Sequence, residues 1–340
     1  MVGMSGGVDS SVTAVLLKEQ GYSVAGVTLS LCGYGDEQNF KDAKSVCDNL
    51  GLPHFTFDLK KEFSQFVIEN FANSYINGKT PNPCIECNRY IKFGKMIDLA
   101  EENGYAKIAT GHYARIKKDC NGRYLLYKAK DLSKDQSYVL YNLSQHQLSK
   151  AIFPLGEVTK AQVREKAESL KLINFDRPDS QDICFVPDGD YASFIENNLN
   201  FVAAKGEYVD INGNFIGEHK GVIRYTIGQR KGLGIALGKP TFVIDKDSQT
   251  NRVVLGDEEY LFKRTVIVEN TNFIPFDKLE SDMRVTAKLR YRHIEQPATV
   301  IPIGENKVKI EFDEPQRAAS PGQAAVFYNG DLVVGGGAIV

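Results

Sequence analysis

No part of the 340-residue sequence contains the ~18 consecutive apolar residues that a membrane-spanning helix requires. The N-terminus lacks the basic, apolar and cleavage-site segments of a secretory signal. A formal net charge of -2 gives the whole molecule no general attraction for nucleic acid, so any RNA-binding surface must be local. These absences predict a cytoplasmic protein without membrane contact, and they leave RNA binding open.

Cysteine is scarce as well. The six cysteines are Cys32, Cys47, Cys84, Cys87, Cys120 and Cys184. They are too few and too scattered for a disulfide framework, and closely spaced cysteines in a reducing compartment more often indicate metal or redox chemistry. No partner C-x-x-C or histidine pair has the spacing of a zinc site. An isolated cysteine is usually a small buried hydrophobe, and we interpret Cys32, Cys47 and Cys120 in that way.

The order of predicted elements indicates the fold. The predicted strands are residues 1–4, 23–31, 54–59 and 105–110, and the predicted helices are residues 9–20 and 40–50. Residues 62–95 are predicted to form a helix, a loop and a helix. Strands that alternate with helices predict an α/β domain with a doubly wound parallel sheet, whose ligands bind at the carboxyl ends of the strands.

The character of the sequence changes near residue 190, where glycine becomes frequent and short alternating β segments follow. We therefore predict three domains: residues 1–190 with the parallel sheet, a small mixed domain over 191–256, and a C-terminal β-barrel or sandwich over 257–340 that contacts RNA.

A glycine-rich string, GMSGGVDSS over residues 3–11, lies between the first predicted strand and helix. Glycines allow close backbone approach, and the N–H groups at a helix start attract an anion. The string lacks the lysine of a Walker A loop. It resembles the PP-loop of the adenine nucleotide α-hydrolase group, which implies cleavage of ATP between the α and β phosphates to give an adenylate and pyrophosphate.

A second string, TPNPCIECNRYIKF over residues 80–93, contains the closely spaced pair Cys84 and Cys87. Its two prolines precede an amphipathic run, so Cys87 is expected near a helix start with Arg89 and Lys92 close by. A thiolate is favoured near a helix N-terminus or a cation, and it is a strong nucleophile.

Seven ordered motifs together resemble the tRNA-specific 2-thiouridylase family. They are SGGVDSS, PNPCIECNRYIKF, ATGHYAR (109–115), KDQSYVLY (134–141), FPLGE (153–157), QDICF (181–185) and GQRKGLG (228–234), and SPGQAAVFY (320–328) extends the match to the C-terminus. The resemblance implies ATP-dependent 2-thiolation of the wobble uridine of tRNA, with release of AMP and pyrophosphate. It also implies ATP with Mg²⁺ as cofactor, and two partners: tRNA and a sulfur-donor protein, either a cysteine desulfurase or a sulfur relay protein.

The resemblance further implies roles for individual residues. The nucleophile falls on Cys87 and the persulfide-bearing cysteine on Cys184, and the two are expected to end the reaction as a disulfide. The implied ATP contacts are Gly3, Met4, Ser5, Gly6, Gly7, Val8, Asp9, Ser10, Leu29 and Gly111. The implied tRNA contacts are Asn82, Pro83, Cys84, His112, Lys134, Asp135, Gln136, Arg290, Tyr291 and Gln323.

One position departs from the family, because many members carry aspartate where this chain has Cys84. Together Cys84, Cys87 and Cys184 offer three thiolate ligands, so an alternative to persulfide chemistry is a [4Fe–4S] cluster with one open coordination position. Further alternatives are a PP-loop ligase acting without sulfur, an RNA-binding protein without catalysis, and thiolation of another nucleotide.

The segment RVTAKLRYRH, residues 284–293, predicts an RNA-binding strand. Alternate residues of a strand share one face. Arg284, Lys288, Arg290 and Arg292 are therefore predicted to form a basic stripe, and Gln229, Arg230 and Lys231 a second basic site. Since C2 of a stacked base is poorly reachable, we also expect the wobble nucleotide to be flipped into a pocket.

Overall fold

The computed structural model describes residues 1–33, 36–170, 172, 183–199 and 201–340. Its N-terminal part contains β1 (Val2–Gly3), β2 (Gly26–Ser30), β3 (His54–Asp58), β4 (Ile108–Ala109), β5 (Ala114–Lys118), β6 (Tyr124–Lys128) and β7 (Ala151–Ile152). Five of these strands form a parallel sheet in the order β3-β2-β1-β4-β7. The strand order reverses between β1 and β4, and such a switch point is where doubly wound sheets bind ligands. The predicted fold of this domain is confirmed.

The other helices of this part are Val8–Glu19, Asp36–Leu50, Gln145–Lys150, Lys160–Ser169 and Tyr191–Leu199. Between β3 and β4 lie two longer helices, as predicted for residues 62–95. The first runs through Lys60–Phe63, Ser64–Ile68 and Glu69–Ile76, and the second through Pro83–Glu86, Cys87–Lys95 and Met96–Glu102. We call the second one the cysteine helix. The middle segment of each is a π-helix with i→i+5 hydrogen bonds.

The small central domain is a four-stranded sheet of mixed direction, in the order β10-β11-β8-β9. Its strands are β8 (Gly206–Val209), β9 (Phe215–His219), β10 (Phe242–Asp247) and β11 (Arg252–Gly256). Tyr208 and Val243 of this sheet share one apolar cluster with Phe63 and Phe71 of the helix after β3, and with Cys87. The central domain therefore contributes to the wall behind Cys87.

The C-terminal domain is a closed antiparallel barrel. Its strands are β12 (Phe262–Phe273), β13 (Met283–Lys288), β14 (Gln296–Gly304), β15 (Lys307–Arg317), β16 (Ala324–Asn329) and β17 (Leu332–Ile339), and pairing of β12 with β17 closes it. The β5–β6 hairpin of the first domain continues the same sheet through β17. Tyr138, Val326 and Tyr328 lie in one core with Ile108. This continuity between the first domain and the barrel was not predicted from the sequence. Within the described residues, no helix is long and apolar enough to cross a membrane.

Candidate active site

The phosphate loop, residues 3–11, connects β1 to the helix Val8–Glu19. Gly6 has φ +71°, in the left-handed region that favours glycine. The Ser5 amide donates to Ser10 Oγ over 3.2 Å, and that hydroxyl donates to the Gly7 carbonyl over 3.0 Å. No side chain among the described residues caps the helix at Gly7. The amides of its first turn are therefore available to an anion.

Gly111 follows β4 and packs directly against this loop. A Cβ atom at Gly111 would lie 3.0 Å from the Asp9 carbonyl carbon and 3.1 Å from the Ser10 amide nitrogen. Leu29 lies in the neighbouring strand β2, half-buried. The loop, Leu29 and Gly111 thus lie at the carboxyl ends of adjacent strands, where a nucleotide is expected. Their individual contacts with ATP stay predictions.

Asp9 of the phosphate loop is fixed by two partners from distant parts of the chain. Lys160 Nζ lies 2.8 and 2.9 Å from its two carboxylate oxygens, and the Tyr113 hydroxyl donates to Oδ1 over 2.9 Å. The Lys160 side chain is 9% exposed. A buried cation next to Asp9 offsets the negative charge of this carboxylate within the loop.

The cysteine helix begins as its sequence predicts. Asn82 caps it, because its side chain accepts a hydrogen bond from the Cys84 amide over 3.1 Å, and Pro83 occupies the first helical position. From Cys87 onward the helix is a π-helix. In an α-helix residue i+5 is rotated roughly 140° away from residue i. The i→i+5 bonding of a π-helix instead brings Lys92 back above Cys87.

Lys92 connects the two halves of the site. Its ammonium acts electrostatically on Cys84 and Cys87, and also on His112, the residue that follows Gly111. No ion pair of Lys92 exists within the described part of the chain. A half-buried cation between the thiols and the nucleotide edge is suited to stabilising an anion that forms there.

Burial, however, outweighs this cation at Cys87. Cys87 is 8% exposed, and burial raises the pKa of its thiol to about 11, although Lys92 lowers it and the neighbouring Cys84 and Cys32 thiols raise it. Lys92 thus favours the Cys87 thiolate, as predicted, but burial has the larger effect on the thiol pKa. Arg89, the other cation predicted close to Cys87, lies 5.1 Å from the centroid of the Tyr90 ring. In the resting protein Cys87 is a protonated thiol.

This protonation predicts the pH dependence of alkylation. Below its pKa of about 11 the Cys87 thiolate fraction, and with it the alkylation rate, is expected to rise about tenfold per pH unit between pH 7 and 10. Lys92→Met removes a stabilising cation and should slow alkylation at every pH, whereas Lys92→Arg should retain it. Peptide mass spectrometry after iodoacetamide treatment measures the rate, with the exposed Cys120 as internal control. A Cys87 rate that levels off near pH 7 would contradict the assignment.

Cys184 is exposed and joins the same group of thiols. A hydrogen bond to Cys32 is the largest of the interactions that raise its thiol pKa, and the charges of Cys87 and Cys84 act in the same direction. The structure thus brings together Cys84, Cys87 and Cys184, as predicted, and adds Cys32. The first two residues of QDICF, at positions 181 and 182, lie outside the described residues.

His112 is buried and neutral. Its Nδ1 lies 2.7 Å from Thr110 Oγ1, and its ring packs 5.7 Å from Phe93 and 5.9 Å from Phe153. Burial holds the pKa of His112 well below its usual range, and the charge of Lys92 lowers it further. A contact with the target base stays a prediction.

The barrel holds the loop that precedes the cysteine helix. Gln323 Nε2 donates to the Thr80 carbonyl over 2.7 Å, and the Thr80 amide donates to the Pro321 carbonyl over 2.8 Å. Gly322 has φ +88°, and a Cβ there would lie 2.9 Å from the Thr80 amide nitrogen. Gln323, predicted to contact tRNA, therefore also positions Asn82 and Pro83.

The predicted tRNA residues of the KDQ segment are held by hydrogen bonds within the protein. The Asp135 carboxylate accepts from the Ala129 amide over 3.0 Å and from the Ser137 hydroxyl over 2.7 Å. Gln136 accepts from the Tyr113 amide over 2.9 Å. The Tyr291 hydroxyl, from the barrel, donates to the Asp135 carbonyl over 3.3 Å. The barrel thus meets this segment beside the thiols, since Cys84 acts electrostatically on Tyr291.

The predicted basic stripe is wrong in its extent. Strand β13 ends at Lys288, so Arg290 and Arg292 lie in the following turn rather than on the strand face. Arg284 is on the strand, but it forms a two-point ion pair with Asp313 at 2.8 Å. On the opposite side of this segment Val285, Ala287 and Leu289 are buried, whereas Tyr291 is 40% exposed. The basic residues continue to alternate along the sequence past Lys288, but the backbone leaves the sheet there.

Sequence reasoning missed two residues of this site, Cys32 and Lys160. Cys32, Cys47 and Cys120 were all interpreted as buried hydrophobes. Cys47 is buried as predicted, but Cys120 is exposed and Cys32 is half-buried beside Cys184. The position of Cys32 directly after the predicted strand 23–31 was the signal available. Lys160 lies 151 residues from Asp9, and no local pattern indicates that pair.

The three thiolates of a [4Fe–4S] cluster would bind three different iron atoms, whereas a single metal ion requires three ligands at one point. Among the described residues, no three histidine, cysteine, aspartate or glutamate side chains are placed to hold a metal ion. That finding bears on a single ion and not on a cluster, and we derive no step through a cluster.

Comparisons with known proteins cover the whole chain. Family models match residues 1–188 (tRNA methyl transferase HUP domain), 192–257 (tRNA methyl transferase PRC-barrel domain) and 263–339 (Aminomethyltransferase beta-barrel domain). The tRNA-specific 2-thiouridylase MnmA of Acetivibrio thermocellus is 49% identical over 100% of this chain and 98% of its own length. The tRNA-specific 2-thiouridylase MnmA 1 of Thermoanaerobacter sp. (strain X514) is 50% identical over 100% of this chain and 97% of its own.

Proposed function

This chain belongs to the tRNA-specific 2-thiouridylase family, and from that premise we propose that it is a sulfurtransferase that thiolates C2 of the wobble uridine of tRNA at the expense of ATP. One observation carries the proposal. Gly111 packs on the phosphate loop, and the charge of Lys92 lowers the pKa of the adjacent His112. The same charge acts electrostatically on the thiols of Cys84 and Cys87. A nucleotide edge and nucleophilic thiols therefore share one site.

The reaction follows from these parts. The phosphate loop binds ATP with Mg²⁺, and O2 of the uridine attacks the α phosphate, which releases pyrophosphate and leaves an adenylate. A sulfur-donor protein converts Cys184 to a persulfide. Its terminal sulfur attacks C2 and AMP leaves, so that the base is joined to Cys184 through a disulfide. Cys87 then attacks the Cys184 sulfur, which releases 2-thiouridine and forms the Cys87–Cys184 disulfide.

The direct test uses the purified full chain with unmodified tRNA, ATP, Mg²⁺ and a cysteine desulfurase with cysteine. We expect 2-thiouridine at the wobble position together with equal amounts of AMP and pyrophosphate. Iron content is measured on the same preparation. Activity that appears only in an iron-loaded form and is lost in Cys84→Ser would replace the persulfide route with cluster chemistry, and thiolation at another nucleotide would change the substrate.

Arg290 and Arg284 form a matched pair for locating the tRNA surface. Arg290 is half-buried beside Tyr291, with one guanidinium nitrogen donating to the Arg317 carbonyl over 3.2 Å, whereas both terminal nitrogens of Arg284 are paired with Asp313. Arg290→Ala is expected to weaken tRNA binding about tenfold and to reduce its salt dependence. Arg284→Ala is expected to change binding less than about twofold. Fluorescence anisotropy at two salt concentrations measures both, and equal effects would place the tRNA elsewhere.

A further inference from the structure

The middle segment of the cysteine helix, Cys87–Lys95, keeps its π-helical form over nine residues. Such runs are rare, since most π-helical segments are single turns inserted into an α-helix, and they are frequent at functional sites. Cys87 is the first residue of the segment. The orientation of its thiol relative to the rest of the helix therefore depends on the i→i+5 register.

Gln147, on the helix Gln145–Lys150, holds this segment from outside. Its Nε2 donates to the Arg89 carbonyl and to the Phe93 carbonyl, each over 2.7 Å. A side-chain amide has two N–H groups and a carbonyl oxygen has two lone pairs, so both bonds can form beside the bonds of the helix itself. Because Arg89 and Phe93 lie four residues apart, one side chain fixes the spacing of successive turns.

Gln147 is itself locked by a capping box at the start of its helix. Its Oε1 accepts from the Ser144 amide over 2.9 Å, and the Gln147 amide donates to Ser144 Oγ over 3.2 Å. The next residue, Leu148, is fully buried in the apolar cluster that also contains Phe93 and Ile108. A side chain held in this way on a packed helix is a rigid support for the groups that it contacts.

The cysteine helix is also fixed at both ends. Asn82 caps its start. Met96 directly follows the π-helical segment, is 1% exposed, and has its sulfur 3.3 Å from where a Cβ atom at Gly3 of the phosphate loop would lie. A change of the segment to i→i+4 bonding would rotate one fixed end against the other. The register therefore sets how Cys87 is oriented relative to the phosphate loop.

We propose that Gln147 is a positioning residue that holds the π-helical register of the cysteine helix and so places Cys87 for its attack on the Cys184 sulfur. It acts through the backbone carbonyls of that helix and takes no part in the bond changes. A glutamate would serve the capping box equally well but has no N–H group to donate, so the two carbonyl contacts require glutamine. The proposal rests on the proposed function, because that reaction gives Cys87 its role.

Gln147→Glu separates the two roles of this side chain. It keeps the capping-box acceptor but places a carboxylate against two carbonyl oxygens. Gln162→Glu is the matched control, because Gln162 occupies the same position in the capping box that begins at Thr159. Gln147→Met removes the two donated bonds without introducing a charge, and it keeps the test valid if Gln147→Glu fails to fold.

The first measurement is hydrogen exchange of the full-length proteins without tRNA or ATP, followed by mass spectrometry of peptides. We expect the amides of residues 87–95 to exchange about tenfold faster in both Gln147 variants than in Gln162→Glu and the wild type. Peptides of the barrel strand β15 should exchange equally in all four proteins. Equal exchange of residues 87–95 in all of them would overturn the proposal.

The second measurement follows thiolation with tRNA, ATP and the sulfur donor. A small displacement of a reacting group is costly, so the Gln147 variants should release 2-thiouridine about tenfold more slowly than Gln162→Glu. The disulfide-linked intermediate between tRNA and Cys184 should accumulate, because Cys87 resolves it. The KM for ATP and the release of the first equivalent of pyrophosphate should match the control, whereas a general loss of folded protein would lower both products together.

The two measurements distinguish failure of the proposal from failure of the proposed function. Release of 2-thiouridine at the control rate from a variant whose residues 87–95 exchange faster would overturn the positioning role and leave the proposed function intact. Absence of 2-thiouridine from the wild type would instead refute the proposed function, while hydrogen exchange still decides whether Gln147 holds the register.

Discussion

Replacing Cys87 with serine is expected to stop release of 2-thiouridine, by roughly 10³-fold or more, while ATP is still cleaved to pyrophosphate. The reason is the order of steps, because Cys87 acts after the base has been adenylated and joined to Cys184. The variant should therefore accumulate a covalent protein–tRNA adduct that a dithiol dissociates. A denaturing non-reducing gel with labelled tRNA measures the adduct, and pyrophosphate release is followed in parallel.

Two further variants make this result specific. Cys184→Ser should form no adduct and no 2-thiouridine, since it cannot accept sulfur, and Cys120→Ser, at an exposed position outside the site, should behave as wild type. If Cys87→Ser and Cys184→Ser both modified the tRNA at the wild-type rate, the result would favour a ligase that acts without sulfur. Loss of pyrophosphate release in both would mean that the thiols act before the adenylate forms.

Lys160→Met is expected to have the second largest effect, on both stability and ATP use. It leaves the partly buried Asp9 carboxylate without its cation, and removing one partner of a buried pair costs roughly 3–5 kcal/mol. The uncompensated charge also repels the triphosphate, so the KM for ATP should rise about tenfold or more. Urea unfolding and the ATP dependence of pyrophosphate release measure the two effects.

Lys166→Met is the matched control, because Lys166 lies on the same helix and pairs with Glu19 in a more exposed ion pair. Its unfolding free energy should change by less than about 1 kcal/mol. The double variant Asp9→Asn with Lys160→Met should recover much of the lost stability, since neither charge remains. Equal effects of Lys160→Met and Lys166→Met would show that the Asp9 pair has no special role.

The features that the sequence predicted correctly are those that depend on local patterns. The strand–glycine–helix order located the phosphate loop, and Asn82 and Pro83 marked the start of the cysteine helix because capping depends on neighbouring residues. The short alternating strands predicted a barrel or a sandwich, and the structure shows a closed barrel. The reversal of strand order at β1 and β4 then placed Gly111 against Asp9, as the predicted sheet requires.

What the sequence could not predict depends on tertiary packing. The high pKa of Cys87 arises from burial in an apolar cluster, and some of its members, in the central domain, lie 120 residues or more later in the chain. The place of Lys92 above Cys87 follows from a π-helix, and neither residue type nor spacing indicates one. Likewise the pairing of Arg284 with Asp313 joins two strands, so a basic residue on a predicted strand face proved to be neutralised.

The transfer of oxygen from the base to AMP tests the central claim most directly. A tRNA labelled with ¹⁸O at O2 of the wobble uridine is incubated with the protein, ATP, Mg²⁺ and the sulfur donor, and the AMP is analysed by mass spectrometry. Adenylation at C2–O predicts that the heavy oxygen appears in AMP in proportion to the 2-thiouridine formed. Unlabelled AMP, with the heavy oxygen in water or phosphate, would contradict it.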